Sequence, residues 1–332
     1  MSVVATTTCR RMLVKGLAIA IGTGFLLTAG GCSIDRDAQV LVVPDTAPGQ
    51  LMEALSGTSV QLLQRADISS ACTVNAVDGV PLDVWTIKAV GAPARGTVIV
   101  LHGLLDSKAT FLPLGREFAN RGFDVVLVDH RAHGRSGGKY CTWGAMERRD
   151  VRTVMDDLQR RGAVHTPYYV FGVSMGAAIA IMYAADDPRC RGVLAVAAPK
   201  DFRTVGQMRF PLMSQEQLDR TLEWAAQMAG FNIDDASAEL AAVKLKCPLI
   251  LAHGRLDGVV PYSHSQAIYD AATGPKELIP FPFNGHVTIL LTDRKWFCDQ
   301  IERLASWPTT QTTTQPTTKV ATQPTTGRGE SS

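Results

Sequence analysis

The feature that most constrains the fold is a series of eight short apolar runs in the central part of the 332-residue chain. The later runs are continuous in Val, Ile and Leu, which is typical of strands buried on both faces of a parallel sheet. Helical patterns separate them, for example from about Gly144 to Arg161. The runs are TVNAV (73–77), LDVWTI (82–87), TVIVLHG (97–103), DVVLVD (124–129), YYVFG (168–172), GVLAVAA (192–198), PLILAHG (248–254) and KELIPF (276–281).

The order of these runs predicts how the strands pair. The first two runs are joined by a turn at Asp78 and Gly79, so they are expected to form an antiparallel hairpin at the sheet edge. The other runs alternate with helices, as in a doubly wound sheet. We therefore expect an α/β fold with a mostly parallel eight-stranded sheet and helices on both faces.

Residues 200 to about 245 interrupt this alternation with helical patterns and no strand. One pattern begins at Ser214, with Gln217 three residues later as a capping box, and ends at Gly230. An insertion at this point is expected to form a small helical cap over the carboxyl ends of the strands.

A serine lies between two glycines where the fifth run meets a small-residue helix, in YYVFGVSMGAAIA (168–180). Gly172 and Gly176 leave room for a turn too tight for a Cβ atom, which would expose the hydroxyl of Ser174 at the edge of the sheet. This strand–turn–helix context predicts a nucleophile elbow.

A serine hydroxyl needs a base, and the base needs an orienting carboxylate. Asp257 follows the seventh run, and His286 follows the last run and precedes a helix. Ser174, Asp257 and His286 follow one another in the chain order of this class of site. The sequence therefore predicts that these three residues form a catalytic triad.

Other histidines compete with His286 as the base, namely His130, His133, His165, His253 and His264. His264 falls in an early helical turn and is expected to be solvated. His253 and His102 precede glycines at strand ends and are expected to be structural.

A tetrahedral oxyanion is best stabilised by backbone N–H groups that are fixed before the reaction. The N–H of Met175, directly after the nucleophile, is one expected donor. The N–H of Leu104, in the loop after the third run, is the other.

The motifs VLHG, DHRAHGRSGG, GVSMGA, HGRLDGVVP and NGH, in this order, resemble the α/β-hydrolase superfamily over residues 70 to 305. The resemblance is nearest to its monoacylglycerol-lipase-like and serine-aminopeptidase-like esterase branch. Ala132 stands where the second motif usually has glycine. The resemblance implies a serine hydrolase that cleaves carboxylic esters of short to medium acyl chains through an acyl-enzyme, without a cofactor or metal.

Two alternatives stay open at this point. The same triad supports an exported aminopeptidase or thioesterase, because one fold carries many chemistries. A lipid-anchored binding module could also keep the fold without the activity. The oligomeric state cannot be read from the sequence.

The N-terminal segment has the features of an export signal. Basic residues at 10–15 precede an uncharged stretch over 16–34. The small residues before Cys32 resemble the lipobox of bacterial lipoproteins, although Ala29 departs from its usual leucine. We expect residues 1–31 to be a signal peptide and Cys32 to be lipidated, with the protein exported and held at a periplasmic or outer-membrane face; an uncleaved membrane anchor is the alternative.

The rest of the chain divides into three further segments. Residues 32–69 are expected to be a tether followed by an amphipathic helix around Leu51, Leu55, Leu62 and Leu63. Residues 70–306 form the predicted catalytic domain. Residues 307–332, rich in Thr, Gln and Pro, are expected to be disordered because they cannot bury enough apolar surface.

Charge limits the classes of binding partner that are expected, and the positions of the cysteines indicate their role in the fold. A net charge of +2 without a block of basic residues argues against a nucleic-acid surface, so a small-molecule substrate is expected. Cys190 and Cys247 each begin an apolar run and are expected to be buried small hydrophobic residues. No disulfide pairing follows from the spacing of the cysteines.

Overall fold

A computed structural model describes residues 34–45, 68–286, 288–291 and 294–308. Its strands are β1 (Ser70–Asn75), β2 (Pro81–Ile87), β3 (Thr97–Leu101), β4 (Asp124–Val128), β5 (Tyr168–Val173), β6 (Cys190–Val196), β7 (Leu249–Gly254) and β8 (Lys276–Phe281). They form one central eight-stranded sheet in the order β1-β2-β4-β3-β5-β6-β7-β8. Each lies within or beside one of the predicted apolar runs.

Strand pairing confirms the predicted topology. β1 and β2 form an antiparallel hairpin at one edge, and β2 is also antiparallel to β4. All the remaining neighbours are parallel. Every residue of β3, β4, β5 and β7 is buried, because helices cover both faces of these strands. The mostly parallel α/β sheet expected from the sequence is therefore confirmed.

Two apolar cores lie on opposite faces of the sheet. The helices are α1 (Ile34–Val42), α2 (Leu112–Asn120), α3 (Glu147–Arg160), α4 (Met175–Asp186), α5 (Phe202–Arg209), α6 (Gln215–Ala229), α7 (Ala238–Lys244), α8 (Ser263–Ala271) and α9 (Arg294–Ala305). Helices α2 and α9 pack on one face of the sheet, and helices α3, α4 and α8 pack on the other.

The insertion between β6 and β7 is helical and consists of α5, α6 and α7, with a short 3₁₀ turn at Ile233–Asp235. The predicted capping box is present, since the side chains of Ser214 and Gln217 bond to each other's backbone N–H. Gly230 ends α6 with φ +72°, a conformation that favours glycine. The short helix α5 was not predicted from the sequence.

Helix α1 occupies a segment that the sequence analysis expected to be a tether. It packs against α6 of the cap and buries Ala38, Leu41 and Val42. The indole Nε1–H of Trp143 donates to the carbonyl oxygen of Leu41 at 2.8 Å, which ties this helix to the loop before α3. Its periodicity is too short to distinguish from a tether by sequence alone.

Several predictions fall on residues outside the described ranges. These are the signal segment 1–31, Cys32, the helix around Leu51 to Leu63 and the tail beyond residue 308. Within the described ranges, no helix has the length and apolar character needed to cross a bilayer.

The described cysteines carry free thiols: Cys72, Cys141, Cys190, Cys247 and Cys298. Cys190 and Cys247 are buried in the core, as predicted. Burial raises the pKa of the Cys247 thiol to about 12, because a thiolate would lose its hydration there. Both residues therefore act as small hydrophobic side chains.

Candidate active site

The serine predicted as nucleophile lies at the sharp turn between β5 and α4. Ser174 has φ +55° and ψ −121°, a conformation that residues with a Cβ rarely adopt. Its amide donates to the carbonyl oxygen of Val196 on the neighbouring strand, at 2.8 Å. This strained backbone holds the half-buried hydroxyl at the carboxyl edge of the sheet, as a nucleophile elbow requires.

The two glycines of the elbow are required by close backbone packing. A Cβ on Gly172 would lie 2.2 Å from the carbonyl oxygen of Gly176. A Cβ on Gly176 would lie 2.3 Å from the carbonyl oxygen of Leu101 on β3. The absence of side chains therefore allows α4 to start directly against the sheet.

The structure brings the three predicted triad residues together. Nε2 of His286 is 2.9 Å from Oγ of Ser174, and Nδ1 of His286 is 2.8 Å from Oδ2 of Asp257. The side chain of Asp257 is buried, and that of His286 is about nine-tenths buried. This arrangement can pass a proton from the serine hydroxyl to the imidazole while the carboxylate stabilises the resulting charge.

The Asp257 carboxylate is held from both of its oxygens. Oδ1 accepts hydrogen bonds from the backbone amides of Val259 and Val260, at 2.9 and 2.8 Å. Burial by itself would raise the pKa of Asp257, but hydrogen bonds from His253 and His286, the charge of His286 and the Val260 amide hold that pKa well below 3.8. The carboxylate is therefore ionised at neutral pH.

The loops that carry Asp257 and His286 are joined by backbone contacts. The amide of Leu256 donates to the carbonyl oxygen of Asn284 at 3.1 Å. A Cβ on Gly254 would lie 2.1 Å from that same oxygen, so glycine is needed at the end of β7. The close approach of the two loops sets the distance between the carboxylate and the imidazole.

The predicted oxyanion donors lie on two elements that meet at Ser174. Met175 is the first residue of α4. Gly103, next to Leu104, faces the serine, since a Cβ on this glycine would lie 3.3 Å from Cβ of Ser174. The roles of the Met175 and Leu104 amides stay predictions.

Within the described ranges, none of the competing histidines forms a hydrogen bond to Ser174, whereas His286 does. His165 bonds to Asp124 at the opposite end of the sheet. His264 was expected to be solvated, and this expectation is wrong: its side chain is buried, and its Nδ1 accepts from the amide of Lys200 at 3.2 Å. From the first turn of α8, this side chain faces the base of the cap rather than water.

His102, His130 and His133 form a buried cluster beneath the loop after β3. The rings of His102 and His130 are 4.5 Å apart, and Nε2 of His102 accepts from the amide of His130. Burial lowers the pKa of His102 to about 3, so its ring is neutral. The structural role expected for His102 agrees with this environment.

Sequence reasoning missed the charged side chains that support these loops. Lys108 is buried, and its ammonium lies 2.6 Å from Oδ1 of Asp83 and also pairs with Asp129. The guanidinium of Arg131 bonds to both carboxylate oxygens of buried Asp150. The motif DHRAHGRSGG contains Asp129 and Arg131, but their partners Lys108 and Asp150 lie elsewhere in the chain.

The described ranges hold no group of three or more His, Cys, Asp and Glu side chains arranged to bind a metal ion. A cavity of about 290 Å³ lies between the start of α3 and the cap helix α6, lined by residues such as Met146, Arg149 and Phe231. No triad residue lines that cavity, so it is separate from the candidate active site.

The sequence is similar to those of several known proteins. Residues 92–226 match the family model described as serine aminopeptidase, S33. The uncharacterized protein YfhR of Escherichia coli (strain K12) is 28% identical over 221 residues, which cover 64% of this chain and 71% of that protein. Monoacylglycerol lipase of Mycolicibacterium smegmatis is 29% identical over 123 residues, which cover 35% of this chain and 41% of that protein.

The fold has close counterparts among solved structures. The esterase Pf2001 of Pyrococcus furiosus superposes with a TM-score of 0.57 at 23% identity, covering 71% of this chain and 91% of the esterase. The sheet order and this structural likeness show that the chain has the α/β-hydrolase fold.

Proposed function

We propose that this protein is a serine hydrolase that cleaves carboxylic esters of short to medium acyl chains. The observation that carries the proposal is the continuous hydrogen-bonded relay from Ser174 through His286 to Asp257 at the carboxyl edge of the sheet. The esterase and lipase names of two similar proteins support ester substrates.

In this mechanism, His286 accepts the proton of Ser174 as Oγ attacks the ester carbonyl carbon. Asp257 stabilises the imidazolium, and the amides of Met175 and Leu104 stabilise the oxyanion. The imidazolium then protonates the leaving alcohol, which leaves an acyl group on Ser174. Water, activated by His286, hydrolyses this acyl-enzyme and restores the serine.

Exposed apolar side chains beside the relay support an apolar acyl group. Leu256, next to Asp257, is 66% exposed, and Phe283, three residues before His286, is 78% exposed. Because these large apolar side chains are exposed close in sequence to two triad residues, they are available to contact a hydrocarbon chain of the substrate.

The experiment is covalent labelling with a fluorophosphonate probe, followed by a substrate series. Wild-type protein is expected to be labelled, Ser174→Ala to lose the label, and Ser263→Ala, a change at an exposed serine on α8, to keep it. Labelling of Ser174→Ala at the wild-type rate would refute the proposal. In the series, p-nitrophenyl esters of rising chain length are compared with acyl thioesters and amino-acid anilides.

The description of the matching family model favours one second candidate, an aminopeptidase on the same triad. Faster turnover of the anilides than of the esters would establish that candidate instead. A folded protein that is neither labelled nor active on any member of the series would be a binding module.

We further propose that the protein is exported and anchored to a membrane by lipid on Cys32. Helix α1 begins two residues after this cysteine and packs on the cap, so an anchor there would hold the cap near the membrane. Growth with a clickable fatty acid is expected to label the wild-type protein and not Cys32→Ser. Absence of the label from the wild-type protein would contradict lipid anchoring.

A further inference from the structure

His253 lies directly behind the catalytic carboxylate and was assigned no role in the reaction. It is the fifth residue of β7, and its side chain is fully buried. Its Nε2 is 3.1 Å from Oδ2 of Asp257 and 2.8 Å from the carbonyl oxygen of Val260. Its Nδ1 is 2.6 Å from Oγ of Ser265 on α8.

These neighbours fix where the proton of the ring lies. The carbonyl oxygen of Val260 can only accept, so Nε2 of His253 must carry a hydrogen. That N–H is directed at both the carbonyl oxygen and Oδ2 of Asp257. In the neutral ring, Nδ1 then accepts from the hydroxyl of Ser265.

Because Nε2 is a donor, Oδ2 of Asp257 accepts two histidine N–H groups, one from His286 and one from His253. The other oxygen, Oδ1, accepts two backbone amides. A carboxylate held by four donors cannot rotate without breaking several hydrogen bonds at once. The orientation of the catalytic imidazole therefore depends on His253 as well as on Asp257.

We propose that His253 is a positioning residue of the triad, which holds Oδ2 of Asp257 in line with Nδ1 of His286; this inference rests on the proposed function. Its direct hydrogen bond also lowers the pKa of the Asp257 carboxyl, in the same sense as the bond from His286.

Water cannot easily replace this donor, because the surroundings of His253 are closed. The ring of Tyr262 packs edge-on at 5.7 Å, and His264 lies close enough to interact electrostatically with His253. Loss of the N–H would leave a buried carboxylate oxygen with one donor fewer.

The test compares His253→Gln with His253→Asn, two amides that differ in reach. The Gln amide nitrogen can occupy the place of Nε2 and donate to Asp257, whereas the Asn amide ends near the position of Nδ1. We expect His253→Asn to lower kcat for a p-nitrophenyl ester by roughly 10- to 100-fold with KM within about twofold, the scale of a misplaced catalytic group. We expect His253→Gln to restore most of the wild-type kcat.

Ser263→Ala, an exposed change on α8, serves as the control for both variants, and thermal unfolding checks that each is folded. If His253→Asn does not fold, His253→Met, which fills the site without a donor, takes its place. Equal kcat values for His253→Gln and for His253→Asn, or for the Met variant that replaces it, would overturn the inference. A tenfold or greater loss in His253→Gln would overturn it as well. Ser174→Ala is measured in parallel: if it stays active the proposed function fails, and if it is inactive only the role of His253 is at issue.

Discussion

Replacing Gly172 with alanine is expected to damage the nucleophile elbow without touching the triad itself. The added Cβ would lie 2.2 Å from the carbonyl oxygen of Gly176, 2.6 Å from its carbonyl carbon and 2.8 Å from Cα of Ala177. All three atoms belong to the backbone, so no side chain can rotate to relieve the contact. An ordinary contact needs at least 3.4 Å, so β5 and α4 must move apart by about 1 Å.

This displacement has a cost in stability and a cost in rate. Overpacking of a well-packed core lowers the free energy of unfolding by about 1–3 kcal/mol, and a backbone contact without a soft partner belongs at the upper end. A shift of about 1 Å between Ser174 and His286 lowers the rate of acylation by about 100-fold.

The assay is the rate of fluorophosphonate labelling, together with denaturant unfolding of the same samples. Gly258→Ala is the matched control, since a Cβ there meets nothing within 4 Å and the residue lies next to Asp257. We expect the control to label at the wild-type rate. A Gly172→Ala protein with wild-type stability and labelling would refute the packing argument.

Further expectations concern a buried charge, a strained loop and the effect of acid. Lys108→Met removes the cation beside the fully buried Asp129 and should lower the free energy of unfolding, measured by urea denaturation, by about 3–5 kcal/mol. A loss below about 1 kcal/mol would contradict a paired buried charge. Ala132→Gly removes the backbone strain of a residue at φ +59° and should raise the free energy of unfolding by about 0.5–1 kcal/mol. A decrease would mean that the alanine methyl group is needed for packing. Because the pKa of Asp257 is lowered on folding, its charge stabilises the protein at neutral pH, and this contribution is lost as the pH falls below about 4. The free energy of unfolding of Asp257→Asn should therefore depend less on pH between 3 and 7 than that of the wild type. An equal dependence would refute this assignment.

The parts of the site that could be read from sequence are those with a local signature. The elbow is visible because Gly172 and Gly176 flank Ser174 at a strand–helix junction. Asp257 and His286 could be placed because parallel strands end at one edge of a sheet, so residues that follow such strands meet there. Chain order then limits which acid and which base can pair.

The partners of buried polar groups have no such signature. Nothing near Lys108 in the chain indicates that its ammonium is buried against Asp83 and Asp129, since those residues come from distant parts of the chain. For the same reason, His264 was expected in solvent, although the base of the cap covers it. These contacts join residues far apart in sequence, and only packing brings them together.

By itself, the sequence determined the eight strands, the antiparallel hairpin and the position of the elbow, because apolar periodicity and glycine spacing act over a few residues. Tertiary structure alone decided that helix α1 packs on the cap and that His253 shares the oxygen of Asp257 that binds His286. Such arrangements depend on which surfaces are buried against each other, and burial is a property of the folded chain as a whole.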